Sequence, residues 1–227
     1  QKLNALNRHT GELVWQTKRD IERQRKFAFC TPLVINVDGQ PQVVSPGAGM
    51  VGGYDPADGK EIWRVEYDGY SVVPRPVFGH GLVFLSSGFD SPTAMAIRPT
   101  GKGNVTETHV AWTQKRGAPH SPSMLLVGDE LYMISDRGVA TCADAKTGEI
   151  HWQERLGGRY SASPIYADGK IYCLSEEGVG IVFAADKEFK EIARNDLGER
   201  TLASYGVIGN ALLIRTDESL YRIESQD

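Results

Sequence analysis

The sequence is short of cysteine, of long apolar runs and of any strong charge of one sign. Its three cysteines, Cys30, Cys142 and Cys173, stand far apart in 227 residues. An odd count at that spacing gives neither a disulfide framework nor a zinc site. No apolar stretch approaches the roughly 18 residues that a membrane-spanning helix requires. Formal net charge is −4, whereas a nucleic-acid footprint needs a clustered excess of Lys and Arg. The one dense basic stretch, Lys18 to Lys26, is interrupted by Asp20, Ile21 and Glu22 and reads as a solvated loop or strand edge. No segment sustains a 3.6-residue apolar period, so almost no helix is expected. There is no G-x-S-x-G elbow, and no His pair has metal-ligand spacing. His9, His80 and His151 fall in turns or an outer strand, and His109 falls in an insertion. The acidic pairs Glu176-Glu177 and Asp217-Glu218 fall at hairpin tips and read as solvated turns rather than general acid/base pairs. Cys142 and Cys173 occupy strand slots where small apolar residues also fit, and read as inert core thiols.

Glycine is plentiful, and residues 47–52, GAGMVG, fit the G-x-G-x-x-G pattern of a dinucleotide-binding turn. That site needs a helix immediately after the glycines, because the N-terminal N–H groups hold the pyrophosphate. Here the glycines run into YDPADG, which breaks helices. They therefore read as a hairpin between two strands.

The chain also repeats itself. Trp15, Trp63, Trp112 and Trp152 each end a similar phrase: NALNRHTGELVW, VGGYDPADGKEIW, AMAIRPTGKGNVTETHVAW and ATCADAKTGEIHW. A fifth phrase, VFAADKEFKEIAR, places Arg194 in the Trp position. A small residue precedes each turn (Ala5, Gly53, Ala96, Cys142, Ala184), followed two positions later by Asn7, Asp55, Asp144 or Asp186, with Arg98 as the exception. In D-x-x-T-G the carboxylate or amide accepts backbone N–H bonds and the glycine (Gly11, Gly59, Gly148) takes φ > 0 without penalty. Upstream of each phrase lies a second block, such as SASPIYADGKIYCLSEEG, with a small-polar first strand and an apolar second strand entered through Asp-Gly or a similar pair. Four short strands per period of 40 to 49 residues describe the blades of a β-propeller. The predicted blades are approximately 1–18 (partial), 28–66, 72–114, 120–154, 161–195 and 202–224 (partial), in one all-β domain of four-stranded antiparallel sheets spanning 1–227.

Residues 142–152, CADAKTGEIHW, together with ALNRHTGELVW and GYDPADGKEIW, resemble the tryptophan-docking motif A-x-D-x-x-T-G-x-x-x-W of the quinoprotein alcohol dehydrogenase-like, pyrroloquinoline-quinone-type propellers. The resemblance covers essentially the whole chain. It implies that Trp15, Trp63, Trp112 and Trp152 pack each blade on its neighbour. It also implies about five blades or the later part of a seven- or eight-bladed ring, and a periplasmic or extracellular location. The family includes dehydrogenases that hold the quinone and Ca²⁺ above the propeller axis, and non-catalytic members such as the outer-membrane assembly lipoprotein.

The adjacent-cysteine pair often found in those dehydrogenases is missing. The expectation is a non-enzymatic scaffold or protein- or ligand-binding module with no cofactor and no nucleic-acid partner. The alternatives are a fragment of a quinone- and calcium-dependent dehydrogenase or a sensor domain of a membrane or kinase protein. The first-strand slots hold Thr31, Arg75, Ser123, Ser163 and Ser204. If those strands line a channel, its mouth is a candidate binding site, with Arg75 anchoring an anionic group and His120 and Tyr205 nearby.

Overall fold

The computed structural model describes residues 1–224. The chain forms two compact units, Gln1–Arg116 and Gly117–Asp227. The first unit opens with a two-stranded sheet, β1 (Lys2–Leu6) and β2 (Leu13–Lys18). The next sheet contains β3 (Leu33–Val37), β4 (Gln40–Gly47), β5 (Met50–Tyr54) and β6 (Glu61–Glu66). A third is built from β7 (Val77–Gly79), β8 (Leu82–Ser86) and β9 (Ala94–Ile97). After a short β10 (Gly103–Asn104) and a single helical turn, α1 (Thr106–His109), this third sheet is completed by β11 (Val110–Gln114).

The second unit has two four-stranded sheets and one of three strands. The first is β12 (Leu125–Val127), β13 (Glu130–Ile134), β14 (Val139–Asp144) and β15 (Ile150–Arg155). The second is β16 (Ile165–Ala167), β17 (Lys170–Leu174), β18 (Val179–Ala184) and β19 (Glu191–Asp196). The third is β20 (Gly206–Ile208), β21 (Ala211–Arg215) and β22 (Leu220–Glu224). Each full sheet is an antiparallel meander in chain order, the blade of a β-propeller. α1 is the sole helix among the described residues.

Local chemistry explains the hairpins. Asp38-Gly39, His80-Gly81 and Asp168-Gly169 all take positive φ at both positions, the geometry whose twist matches that of paired strands. Proline interrupts the approach to the first strand in four of the sheets. Pro32, Pro74, Pro76, Pro122 and Pro164 have no N–H to give to a ladder. The small-polar segments therefore lead into the first strands and do not form them.

The middle strands carry the core. β5, β8 and β9 are buried along their whole length, and β13, β14 and β18 nearly so. One core packs Val44, Val51, Trp63, Val83, Leu85 and Ile97, and another packs Tyr132, Cys142, Trp152, Ile171 and Phe183.

The long third phrase does structural work that its sequence did not announce. Its insertion lays β10 parallel against β6, making that sheet five-stranded. Val105 N–H donates to Arg64 O at 2.9 Å, and Glu66 N–H donates to Thr106 Oγ1 at 2.9 Å. The outer edge of that sheet is thereby covered rather than left open to association.

Candidate functional site

Each tryptophan stands opposite a small residue, and geometry gives the reason. Ala5 pairs with Trp15, Gly53 with Trp63, Ala96 with Trp112 and Cys142 with Trp152. A side chain added at Gly53 would run into the Trp63 indole. The indole lies flat across its cross-strand neighbour, so that neighbour has to be small. Trp15 Nε1 donates to Pro56 O at 2.9 Å, and its ring lies over Gly59 in the turn of the next sheet. Trp63, fully buried, donates to Gln42 Oε1 at 2.7 Å, and Gln42 Nε2 in turn donates to Pro99 O of the following sheet at 3.3 Å. Trp112 packs against Phe84, with ring centroids 6.0 Å apart. Trp152 Nε1 donates to Asp186 O at 3.0 Å, and its ring meets Phe183 and Phe189 of the next sheet edge-on.

The turn residues cap their own hairpins. Asn7 Oδ1 accepts from His9 N–H at 2.9 Å and Thr10 N–H at 3.2 Å, and Asp55 Oδ1 accepts from Ala57 N–H at 2.8 Å. Asp144 Oδ1 accepts from Thr147 N–H at 2.8 Å and Lys146 N–H at 2.9 Å. These bonds, the Thr147 amide foremost, hold the Asp144 carboxyl below its ordinary pKa. Gly11, Gly59 and Gly148 share φ +75°.

The fifth phrase is registered differently from its sequence alignment. Val182 pairs with Ala193, and Ala184 N–H donates to Lys190 O as Asp144 N–H does to Glu149 O. Val182 is thus the counterpart of Cys142, Ala184 of Asp144 and Ala193 of Trp152. Asp186 and Arg194 do not occupy the Asp and Trp positions. Asp186 instead offers its carbonyl to Trp152, and Arg194 Nη1 donates to Leu156 O at 3.1 Å.

The candidate first-strand residues divide between the two units. In the second unit three serines are linked. Ser123 N–H donates to Ser163 Oγ at 3.0 Å, and Ser163 N–H donates to Ser204 Oγ at 2.9 Å. The Ser163 and Ser204 hydroxyls each satisfy a backbone donor of the preceding blade. Tyr205 O–H donates to Cys173 O at 3.3 Å, and burial raises its pKa. His120 N–H donates to Asp136 Oδ2 at 2.6 Å. In the first unit Thr31 and Arg75 are exposed, and Arg75 lies close enough to Cys30 for its charge to act on that thiol.

Of the two acidic hairpin tips, Asp217 and Glu218 are exposed, whereas Glu176 and Glu177 are hydrogen-bonded within the protein. Glu177 accepts from Arg159 N–H at 3.2 Å, and Glu176 accepts from Ser161 Oγ at 2.6 Å. Glu199 gathers the Thr216, Ser219 and Tyr221 hydroxyls, which hold its carboxyl below the ordinary range, Thr216 most strongly. Burial pushes the thiols up, Cys30 to about 12 and Cys142 to about 11, with Cys173 also raised.

The glycine hexapeptide is occupied by the protein itself. Gly47 ends β4 and Met50 begins β5. A side chain at Gly47 would strike Arg19, and one at Gly49 would strike Arg23. Arg19, placed by sequence in a solvated stretch, is only 7% exposed. Its Nη1 donates to Gln1 Oε1 at 3.1 Å and Pro46 O at 3.3 Å, and its Nη2 donates to Ser45 O at 3.2 Å and to Ser45 Oγ. Gln1 Nε2 donates to Ala48 O at 2.9 Å. The signal for this burial was the period of two: Trp15, Thr17 and Arg19 alternate onto the less exposed face. Among the described residues, no three His, Cys, Asp or Glu side chains come together as a metal-ligand set.

Successive antiparallel four-stranded blades, with Trp15, Trp63 and Trp152 each reaching the next sheet, are those of a propeller of pyrroloquinoline-quinone-like repeats. The chain belongs to the family described as outer membrane protein assembly factor BamB, whose model matches residues 1–137 and 106–188. Among solved structures, BamB from Moraxella catarrhalis is similar at 16% identity and TM-score 0.69, covering 95% of this chain and 64% of that one. The computationally designed Ika8 protein is similar at 11% identity and TM-score 0.68, covering 95% and 62%. Quinohemoprotein alcohol dehydrogenase from Comamonas testosteroni is similar at 15% identity and TM-score 0.64, covering 86% and 40%. The chain thus spans less than two thirds of each of these structures. No curated protein matches it.

Proposed function

We propose that this chain is a non-enzymatic propeller module that binds a protein partner as a scaffold, in the manner named by its family, outer membrane protein assembly factor. The observation that carries this reading is the use already made of its reactive groups. Ser163 and Ser204 are spent on backbone donors between blades, and the thiols are held protonated by burial. Rigid blades leave their connecting loops for recognition. A periplasmic or extracellular placement is part of the proposal. Among the described residues no helix is long and apolar enough to cross a membrane.

The similarity to a quinohemoprotein alcohol dehydrogenase supports a second reading, a fragment of a quinone-dependent enzyme. Equilibrium dialysis against pyrroloquinoline quinone with Ca²⁺ separates the two. The scaffold reading expects no stoichiometric retention of the quinone. Retention at one quinone per chain, with substrate-dependent dye reduction, overturns it.

A further inference from the structure

We propose that the cavity between the β16–β19 sheet and the β20–β22 sheet binds a small planar aromatic molecule of the indole class. The cavity measures about 250 Å³. Leu174 and Val182 wall one side, and Leu212 and Ile214 wall the other. Its lining carries no Asp, Glu, Lys, Arg or His, and such walls disfavour an ionic ligand. Apolar cavities of this kind stay dry and take apolar guests instead.

The rest of the fold shows which shape suits a gap between two of its sheets. Trp15, Trp63 and Trp152 each send an indole from an outer strand to the next sheet. Each indole N–H also finds an oxygen: Pro56 O at 2.9 Å, Gln42 Oε1 at 2.7 Å and Asp186 O at 3.0 Å. In β19 the equivalent residue is Ala193, so this outer strand supplies no ring. Val182 pairs with Ala193, and Asn195 stands two residues further along β19, so all three share one face of the sheet. Val182 and Asn195 both line the cavity, which therefore lies along the face where the other blades carry their indole.

Two features select indole within the apolar guests. The lining residues Tyr172 and Tyr205 meet edge-to-face, with centroids 6.4 Å apart and planes at 77°, and aromatic neighbours favour a third ring over an aliphatic body. Asn195 is exposed, which places it at the mouth. Its side-chain carbonyl has the same chemistry as Gln42 Oε1, the acceptor that Trp63 uses.

Nuclear magnetic resonance of the ¹⁵N-labelled chain tests the proposal, with indole, 1-methylindole and cyclohexanol as probes. Saturable shifts of the Gly180, Val182 and Leu212 amides are expected with indole, at a Kd of ~1 mM or tighter. 1-Methylindole, which has no N–H to donate, should bind about fivefold more weakly. Cyclohexanol should not saturate over the same concentrations. Because Asn195 is exposed, Asn195→Ala should keep the folded spectrum and bring indole down to the affinity of 1-methylindole. Indole shifts that do not saturate, or that map away from these amides, overturn the site. Equal saturation by cyclohexanol overturns the aromatic class, and an indole affinity unchanged in Asn195→Ala overturns the assigned acceptor.

Discussion

Two junctions in the Gly117–Asp227 unit pose the same packing problem and solve it differently. Where β15 faces the next sheet, Trp152 lies opposite Cys142 and reaches Phe183, Phe189 and the Asp186 carbonyl. Where β19 faces the three-stranded sheet, Ala193 lies opposite Val182, and the bulk has moved from the outer strand to the third. The second junction holds an apolar cavity of about 250 Å³ lined by Val182, Asn195, Tyr205, Leu212 and Ile223 among others. Tyr205 bridges it through Cys173 O. The difference teaches that the repeat is a rule about a pair: an indole requires a small partner across the strand, and where the indole is lost a branched residue takes the partner's place.

The largest expected effect comes from breaking the filled junction. Trp152→Ala should lose about 3–5 kcal/mol, because Trp152 is only 9% exposed. Denaturant unfolding followed by far-ultraviolet circular dichroism measures it, and a loss below ~1 kcal/mol would mean that the indole does not hold the junction.

Filling the empty junction sharpens the comparison. Ala193→Trp in the Val182→Ala background should gain about 0.5–2 kcal/mol. The same indole beside intact Val182 should gain nothing or lose about 1 kcal/mol by overpacking. Equal effects in both backgrounds would show that the pair is not coupled.

Both junctions share the serine links, so Ser163→Ala should cost about 1 kcal/mol by leaving Ser123 N–H without its acceptor. Faster hydrogen exchange at the Ser123 amide reports the same loss, and an unchanged rate would contradict the link.

The smallest effect is on pH. Folding depresses the carboxyl pKa of Asp144, in the sheet that carries the indole, and of Glu199, at the junction without one. Depressed carboxyls contribute stability that is present above their unfolded values, about 4, and is lost as pH falls through the folded values. Asp144→Asn and Glu199→Gln should each reduce the loss of melting temperature below pH ~4. Melting curves between neutral and acidic pH decide this, and parallel acid slopes for variant and parent would contradict it.

The sequence disclosed much of this because its loudest signals are physical. Four tryptophans in one slot, with Asp-Gly hairpin pairs and D-x-x-T-G turns, declare both strand period and turn type. The fifth phrase misleads because Asp186 lies two positions, and Arg194 one position, past the residues that hold the register, while the turn there is one residue longer and the indole that anchors the register is gone. The first-strand slots show their polarity in sequence, whereas the prolines beside Thr31, Arg75, Ser123 and Ser163 keep those residues out of the ladder. Arg19 was hidden for another reason: charge normally marks solvent, and only the strict alternation with Trp15 and Thr17 pointed it inward. The bonds of Ser163 and Ser204 join residues about 40 positions apart, which no local pattern exposes.

The pairing rule is tested most directly at Gly53 and Trp63, where the glycine leaves room for the ring. A double-mutant cycle with Gly53→Val and Trp63→Ala, read by denaturant unfolding, isolates their coupling. The expected result is a loss of about 1–3 kcal/mol for Gly53→Val alone that largely disappears once the indole is removed. An equal loss in the Trp63→Ala background would contradict the rule, since valine would then be disfavoured for a reason unrelated to the ring.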